Sequence, residues 1–332
     1  MKSRTSRIML CLVIAAMTLG SACGNTGQNA GGTAESSQTN AASGDAQSGS
    51  AAPAGERTVT DELGHQVKLP AHIDRVLAPY LEDPIAALGV KPVAQWSSGS
   101  TVFEYLQPWL KDVPKTSSTP AVEEVLAYQP DLIILNTAAK AANGIYEQYA
   151  KIAPTYVFQN GLTKDWKEVL LTVGELLGSK DKAEQAIAGY EQKAREAKRQ
   201  ISPIVGDKKS VILWIQGKSI YLVDSGRFSG AVLAKDLGFP FPEQALVETV
   251  GKPLAELSLE TLPDLKADYI FYVNQNANGN EQTNLILDNE VWKRLPAVQQ
   301  GHAYEVDYGN WINGGILANE KTIDDVLKLL KR

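Results

Sequence analysis

One pattern occurs twice in this chain and constrains the fold more than any other feature. The run Glu123-Glu124-Val125-Leu126-Ala127-Tyr128-Gln129-Pro130-Asp131-Leu132-Ile133-Ile134 is echoed by Glu260-Thr261-Leu262-Pro263-Asp264-Leu265-Lys266-Ala267-Asp268-Tyr269-Ile270-Phe271. In each copy a Glu near the start of a short helix stands eight residues before an Asp that opens an apolar strand. A chain carrying this unit twice is built from two related halves. Ahead of the first copy, Arg75-Val76-Leu77-Ala78 reads as a buried strand, Asp83 to Leu88 as a short helix and Pro92-Val93-Ala94 as a second strand. Strand and helix alternating at such short intervals imply parallel sheet covered by helices. Thr58 to Asp61 and Leu63 to Pro70 alternate around a turn, as in a hairpin.

Between the copies, Asp181 to Gln200 places Ala183, Ala186, Ile187, Tyr190, Ala194 and Ala197 at helical spacing among Lys, Glu and Gln. At 1.5 Å per residue such a helix spans about 30 Å. It reads as a rigid connection between two lobes facing each other across a cleft, or else as a surface helix of the first lobe. Ser210 to Ile215 and Ile220 to Val223 then restart the strand pattern, Gly230 to Leu237 reads as a helix ended by Gly238, and Ile316 to Leu330 as a last amphipathic helix.

The first residues carry Lys2, Arg4 and Arg7, an apolar run from Ile8 to Leu19, then Gly20, Ser21 and Ala22 before Cys23. This order is that of a secretory signal peptide over residues 1–22. Its apolar run is too short for a bilayer span, which needs about 20 residues. Cys23 after small residues resembles the bacterial lipobox, which implies a diacylglycerol on its thiol. Here the aliphatic Leu19 stands four residues before the cysteine, and Gly20 occupies the position the pattern gives to an aliphatic residue. A secreted chain with a stray thiol is the other reading. From Gly24 to Glu56 there is no Val, Leu, Ile or aromatic residue. Residues 23–56 are expected to form the lipidated cysteine and a disordered tether, about 30 Å in r.m.s. length. Removing the signal lowers the formal charge from −6 to −9, and no basic run remains that could follow a phosphate backbone, so nucleic acid is excluded as a partner.

The remaining chemistry is narrow. Direct metal capture needs three or four close imidazole, thiolate or carboxylate ligands, and the only histidines are His65 and His72 in the N-terminal hairpin region and His302 near the far end. No metal site is therefore expected. A secreted lipoprotein hydrolase is the reading from another class. Against it, the chain has no G-x-S-x-G elbow, no H-E-x-x-H and no P-loop, and Gly226-Arg227-Phe228-Ser229-Gly230 is the nearest string to the first.

From Thr58 to Leu330 the chain resembles the iron-siderophore and cobalamin class of ABC-transporter substrate-binding proteins. The resemblance rests on Thr58 to Pro70, Arg75 to Val93 with Ala86-Ala87-Leu88-Gly89-Val90-Lys91-Pro92, both Glu–Asp motifs, and Lys235-Asp236-Leu237-Gly238-Phe239. It implies an α/β fold with two lobes, each a mainly parallel sheet with flanking helices, joined by one long interlobe helix. The corresponding boundaries are 57–180 for the N-terminal lobe, 181–202 for the helix and 203–332 for the C-terminal lobe. It also implies a monomer outside the membrane, anchored to its outer face through the N-terminal lipid, without enzymatic activity or a covalent cofactor. Its role would be to deliver a ligand to an ABC permease dimer with its ATPase subunits. Glu123 and Glu260 match the family's permease-docking glutamates. Two carboxylates related by an internal repeat suit a two-fold partner, although each alone reads as an acid favoured by a helix N-terminus.

Open α/β sheets bind ligands beyond the carboxyl ends of their strands. The residues expected there are Tyr80, Trp96, Ser97, Ser98, Asn136, Thr137, Trp214, Tyr221, Arg227, Tyr272, Asn274, Tyr308 and Trp311. Trp96 and Trp311 stand out because Ser, Gly and Asn surround them. Strongly anionic ferric catecholates or ferric citrate call for several Arg or Lys in one pocket. Of the seven arginines after residue 56, only Arg227 falls in a cleft loop, and Lys115, Lys140, Lys164 and Lys218 read as surface residues. The expected ligand is an iron(III)-siderophore complex of hydroxamate type. Haem, with Tyr80 or Tyr272 as axial ligand, and cobalamin remain open.

Overall fold

The computed structural model describes residues 55–161, 164–275 and 285–331. The signal peptide, Cys23 and nearly all of the tether lie outside the described residues, and no described helix is long and apolar enough to cross a membrane. An antiparallel hairpin of β1 (Arg57–Thr60) and β2 (Gln66–Leu69) opens the described fold. A parallel sheet follows in the order β3-β6-β7, from β3 (Val76–Leu77), β6 (Leu132–Leu135) and β7 (Thr155–Val157). A second parallel pair, β4 (Gln95–Trp96) and β5 (Lys115–Thr116), is tied to β3 by a single bridge between Leu77 and Ala94. The strand expected at 92–94 is thus found one step later. Val93 N–H already bonds to the Val76 carbonyl at 2.9 Å, but Pro92 before it has no N–H to extend the ladder backwards.

The second half holds one five-stranded sheet of order β10-β9-β8-β11-β12, from β8 (Ser210–Gln216), β9 (Ser219–Val223), β10 (Leu254–Leu257), β11 (Tyr269–Asn274) and β12 (Ala303–Val306). It is parallel through β8-β11-β12 and antiparallel at β9 and β10. The parallel unit β3-β6-β7 therefore recurs as β8-β11-β12. β6 reads Leu-Ile-Ile-Leu and is buried at every position, as expected of a parallel strand covered on both faces.

The repeated motif has a physical purpose in both halves. Its helix is α-helical in the first copy and 3-10 in the second, over Leu259–Leu265, where Pro263 lacks the N–H that an α-turn would use. Both helices end on a left-handed residue, Gln129 at φ 45° and Lys266 at φ 49°. The Asp that follows closes the start of the neighbouring strand. Asp131 N–H donates to the Arg75 carbonyl at 2.7 Å, and its Oδ2 accepts from the N–H groups of Asp74 and Arg75 at 3.0 Å each. In the second copy, Asp268 N–H donates to the Lys209 carbonyl at 2.8 Å and its Oδ2 accepts from Lys209 N–H at 2.7 Å. A buried sheet cannot leave its terminal backbone groups unpaired, and one carboxylate satisfies them in each half.

Four helices position the cleft, α1 (Glu82–Ala87), α3 (Trp166–Leu176), α4 (Lys180–Val205) and α5 (Ile316–Leu330), while α2 (Val122–Tyr128) is the helix of the first motif copy. α4 is 26 residues long, about 39 Å at 1.5 Å per residue, and buries Ala183, Tyr190, Ala194, Ala197, Ile201 and Val205. It packs against α3, α5 and the π-helical turn Val232–Leu237. Gly174 on α3 lets α4 approach, since a Cβ there would meet that of Ala183 at 2.8 Å. One continuous core runs from Leu132 and Ile134 in the first sheet, through Tyr190 on α4, to Phe271 and Trp311 in the second half. Smaller cores cover the other faces of the two sheets.

Candidate functional site

Where β3 ends, the chain turns through Ala78-Pro79-Tyr80-Leu81, closed by Leu81 N–H to the Ala78 carbonyl at 3.0 Å. Pro79 presets the second position of this turn, and Tyr80 takes φ 72° at the third, where a type II turn normally holds glycine. The turn holds the Tyr80 ring 4.6 Å from Trp96 and 6.0 Å from Phe103, and Trp96 lies 4.9 Å from Phe103. From the second half, Arg227 and Phe228 approach, and Phe228 is also in the left-handed region, at φ 48°. Among the described non-glycine residues with positive φ, Gln129 and Lys266 cap helices and Asn143 precedes a left-handed glycine. Tyr80 and Phe228 line a cavity of about 610 Å³ between the two halves. Strain kept at such positions marks places where side-chain direction matters.

The start of α3 (Lys164, Asp165, Trp166, Lys167), the π-helical turn (Lys235, Asp236) and the start of α5 complete the cavity. Of the residues expected from sequence, Tyr80 and Arg227 line it and Trp96 backs Tyr80. Trp214, Tyr221 and Tyr308 form a second aromatic group, with Trp214 5.8 Å from Tyr221 and 5.7 Å from Tyr308. Tyr308 is near enough to Tyr80 to help raise the pKa of its hydroxyl, after burial as the larger cause. Ser97 N–H bonds to the Thr116 carbonyl at 2.8 Å, and Ser98 is exposed in a small turn with Thr101. Asn136 is buried behind Gly161, whose N–H bonds to its carbonyl at 2.7 Å, and Thr137 bridges to Asn160. Asn274 ends β11, half-buried.

Three expectations are corrected. Trp311 is 0% exposed, stacks on Phe271 at 5.0 Å and donates its indole N–H to Asp325 at 3.1 Å, so it is a core residue. Among the polar neighbours that suggested a cleft loop, Asn310 is turned inward, its amide nitrogen donating to Thr322 and Asp325 of α5 at 3.3 and 3.0 Å. Tyr272 faces the smaller core, edge-on to Trp292 at 5.3 Å. Lys164, read as a surface residue, lines the cavity together with Lys167. Both follow β7, and the rule about carboxyl ends of strands would have found them had Thr155–Val157 been recognised as a strand.

The cavity is balanced in charge. Lys164, Lys167, Arg227 and Lys235 face Asp83, Asp165, Asp224 and Asp236. Lys164 is also held by Glu62 at 3.0 Å and Glu168 at 3.4 Å, and Lys167 by Glu191 at 2.5 Å. No cluster of three or more His, Cys, Asp or Glu side chains suited to a metal ion occurs among the described residues.

The sequence profile of periplasmic binding proteins matches residues 81–308, most of the described fold. The chain belongs to the periplasmic binding protein family. It is 33% identical over 287 residues to YfiY of Bacillus subtilis (strain 168), named as a probable siderophore-binding lipoprotein, covering 81% of this chain and 86% of the relative. It is 30% identical over 305 residues to the iron(3+)-hydroxamate-binding protein FhuD of the same organism, covering 89% and 87% respectively. Among solved structures it resembles a FhuD-fold periplasmic binding protein component of a Fep/Fec-like ferrichrome ABC transporter from Bacillus subtilis. The TM-score is 0.71 and the identity 27%, over 82% of this chain and all of the other.

In this binding protein two neighbouring acids are sunk beside the cleft. Asp83 reaches from α1 to the first turn of α5, accepting from Leu317 N–H at 3.2 Å, Ala318 N–H at 3.0 Å and the Tyr105 hydroxyl at 3.1 Å. Gly315 makes room for it, because a Cβ there would fall 2.3 Å from the Asp83 carboxyl carbon. Burial pushes the Asp83 carboxyl up to about 6 and that of Glu82 to about 7, against the backbone N–H groups that favour the charged forms. Both folded values lie above the unfolded ones. The native state therefore keeps protons that the unfolded chain has released, and stability falls as pH rises from about 4 to about 7. For Glu82 the full effect is on the order of 3 kcal/mol. Urea unfolding at pH 5 and pH 8 should show this loss in the wild type and a smaller one in Glu82→Gln. Equal losses in the two proteins would contradict it.

Proposed function

We propose that this protein is the ligand-capturing component of an ABC importer for ferric siderophores, with ferric hydroxamates as its preferred class. The observation that carries the class is the charge balance of the cavity, four basic against four acidic side chains. A chelate with several negative charges would have to displace carboxylates already placed there, whereas a neutral or weakly charged hydroxamate complex needs only aromatic walls and a few donors. Tyr80, Phe103 and Phe228 supply the walls, and Arg227 a charge-assisted hydrogen bond to chelate oxygens. Two relatives matched over 82% and 89% of this chain are named as hydroxamate-binding proteins, whereas those named for ferric citrate and ferric enterobactin match over 64% and 56%.

Titrating Trp96 fluorescence with a panel of ferric complexes tests the class. Ferric hydroxamates should saturate it. Tyr80→Ala should weaken binding by about 1 kcal/mol and Arg227→Ala by about 1.5–3 kcal/mol, roughly tenfold or more for the arginine. Tight saturation by a ferric catecholate, ferric citrate, haem or cobalamin in place of hydroxamates would overturn the choice of class.

Glu123 and Glu260 are both exposed, each the second residue of its short helix. Glu124 beside the first is taken up internally, accepting from Thr116 and Tyr128 at 2.8 and 2.7 Å. The outward pair suits docking on a permease dimer. Reversing both to Lys should abolish uptake of the ferric complex while its affinity stays unchanged, and uptake that survives would remove the role from both.

Attachment through a lipidated Cys23 is supported by the small residues before it and by the lipoprotein name of a relative. Cys23→Ala should shift the protein from the membrane fraction to the medium; retention on the membrane would refute the anchor.

A further inference from the structure

At the mouth of the cleft the first sheet comes apart. β3 and β4 share one bridge, Leu77 to Ala94, after which β3 leaves into the Tyr80 turn while β4 continues to Trp96. On its other side β4 is paired normally, Gln95 N–H to the Pro114 carbonyl and Ser97 N–H to the Thr116 carbonyl, both at 2.8 Å. The Trp96 N–H points the opposite way, toward the gap that β3 has vacated. An unpaired N–H there would be costly and would remove a restraint on the Trp96 backbone at the cleft mouth.

The gap is filled by a side chain. Glu82, 0% exposed in the first turn of α1, accepts the Trp96 N–H at its Oε1 at 2.6 Å. It stands two residues after Tyr80, so one short segment carries both the strained tyrosine and the carboxylate bonded to the backbone of the tryptophan packed against it. The second carboxylate oxygen is buried with no partner among the described residues. A fully buried acid with one oxygen unpaired is an expensive group to keep beside the cleft, yet its carboxyl meets the backbone N–H groups of Trp96, Glu82 and Tyr80, and a leucine of similar volume would leave the Trp96 N–H without its acceptor. That cost is accounted for if holding the Trp96 backbone next to the Tyr80 turn is what the cleft requires.

We propose that Glu82 is a positioning residue of the ligand cleft, a stand-in for the missing strand that fixes Trp96 against Tyr80 and so presets the aromatic wall before ligand arrives. The role as a ligand wall rests on the binding function proposed above. The Glu82 to Trp96 bond itself is tested without ligand.

The experiment uses the full chain as Glu82→Leu and Glu82→Gln, the second keeping an oxygen where Oε1 lies. Backbone hydrogen exchange in the ligand-free protein is read at Gln95, Trp96 and Ser97, and the Tyr80–Trp96 ring pair by near-ultraviolet circular dichroism against Trp96→Phe. In Glu82→Leu the Trp96 amide should exchange about tenfold faster or more, while Gln95 and Ser97 keep their protection from β5, and the dichroism assigned to Trp96 should collapse. Glu82→Gln should retain both signals. Affinity for a ferric trihydroxamate should fall about tenfold in Glu82→Leu and stay within about threefold in Glu82→Gln. The proposal is overturned by equal loss of protection at all three amides, or by dichroism and affinity unchanged in Glu82→Leu. Should that variant not fold, a Trp96 amide that exchanges in the wild type as fast as an exposed loop amide overturns it, and protection kept in the wild type and Glu82→Gln supports it. If no ferric siderophore binds the wild type, the binding function falls, while the exchange and dichroism still decide what Glu82 does.

Discussion

A single buried hydroxyl holds the two halves in register. Tyr190 is almost wholly buried on α4, edge-on to Trp166 of α3 at 4.7 Å, and its hydroxyl donates to Asp236 of the π-helical turn at 2.6 Å. Trp166 and Asp236 line the cavity from opposite halves. A buried phenol must find an acceptor, and a half-buried carboxylate whose pKa is raised by burial gains from a donor, so each group settles the other. The consequence is mechanical. The helix between the halves is part of a core shared by both, and close-packed interiors do not deform continuously. A junction of this kind favours a cleft whose walls are set in advance over one that closes like a hinged book.

Preset walls concentrate local violations at one place. Tyr80 occupies a glycine position in its turn, Phe228 has a left-handed φ, and two adjacent acids are buried beside the cavity. Elsewhere among the described residues, the non-glycine left-handed positions are the helix caps Gln129 and Lys266 and the turn residue Asn143. Departures that destabilise the fold persist where surrounding structure over-determines them. Here that structure is explicit. Asp83 binds the start of α5 and Tyr105, Gly315 leaves space for it, and Pro79 presets the turn that Tyr80 completes.

The doubled architecture was legible in the sequence because its cause is local. A Glu, a short helix and a strand-opening Asp leave a readable spacing, and Asp131 and Asp268 do the same backbone work in each half. The site was legible only in part. Tyr80 and Arg227 lie directly after recognisable strand or turn patterns, whereas Lys164 and Lys167 follow β7, three residues too short to show a period. Trp311 misled because polar neighbours in sequence usually mean water. Here the following helix α5 supplies Thr322 and Asp325 to accept from the Asn310 amide and the indole, and pairing between separate elements leaves no signal in the residues around Trp311.

The cavity lysines bear on selectivity through their partners more than through their number. Lys164 is shared between Glu62 of the first hairpin and Glu168 of α3, and Lys167 bonds to Glu191 on α4. Each carboxylate lies on an element that also positions the cavity, so drawing either ammonium onto a ligand would strip a carboxylate of its partner. At partly exposed sites each such exchange costs only about 0–1 kcal/mol, less than a charge-assisted bond to a chelate oxygen returns. Partnered lysines therefore weaken the case for a strongly anionic ligand without forbidding one. Under the function proposed above, Asp83 adds a stronger discrimination where it is ionised, above its raised pKa of about 6. Its charge is fixed on the cavity wall by backbone N–H groups and cannot swing aside, so an anionic chelate would meet it at whatever distance the preset walls impose.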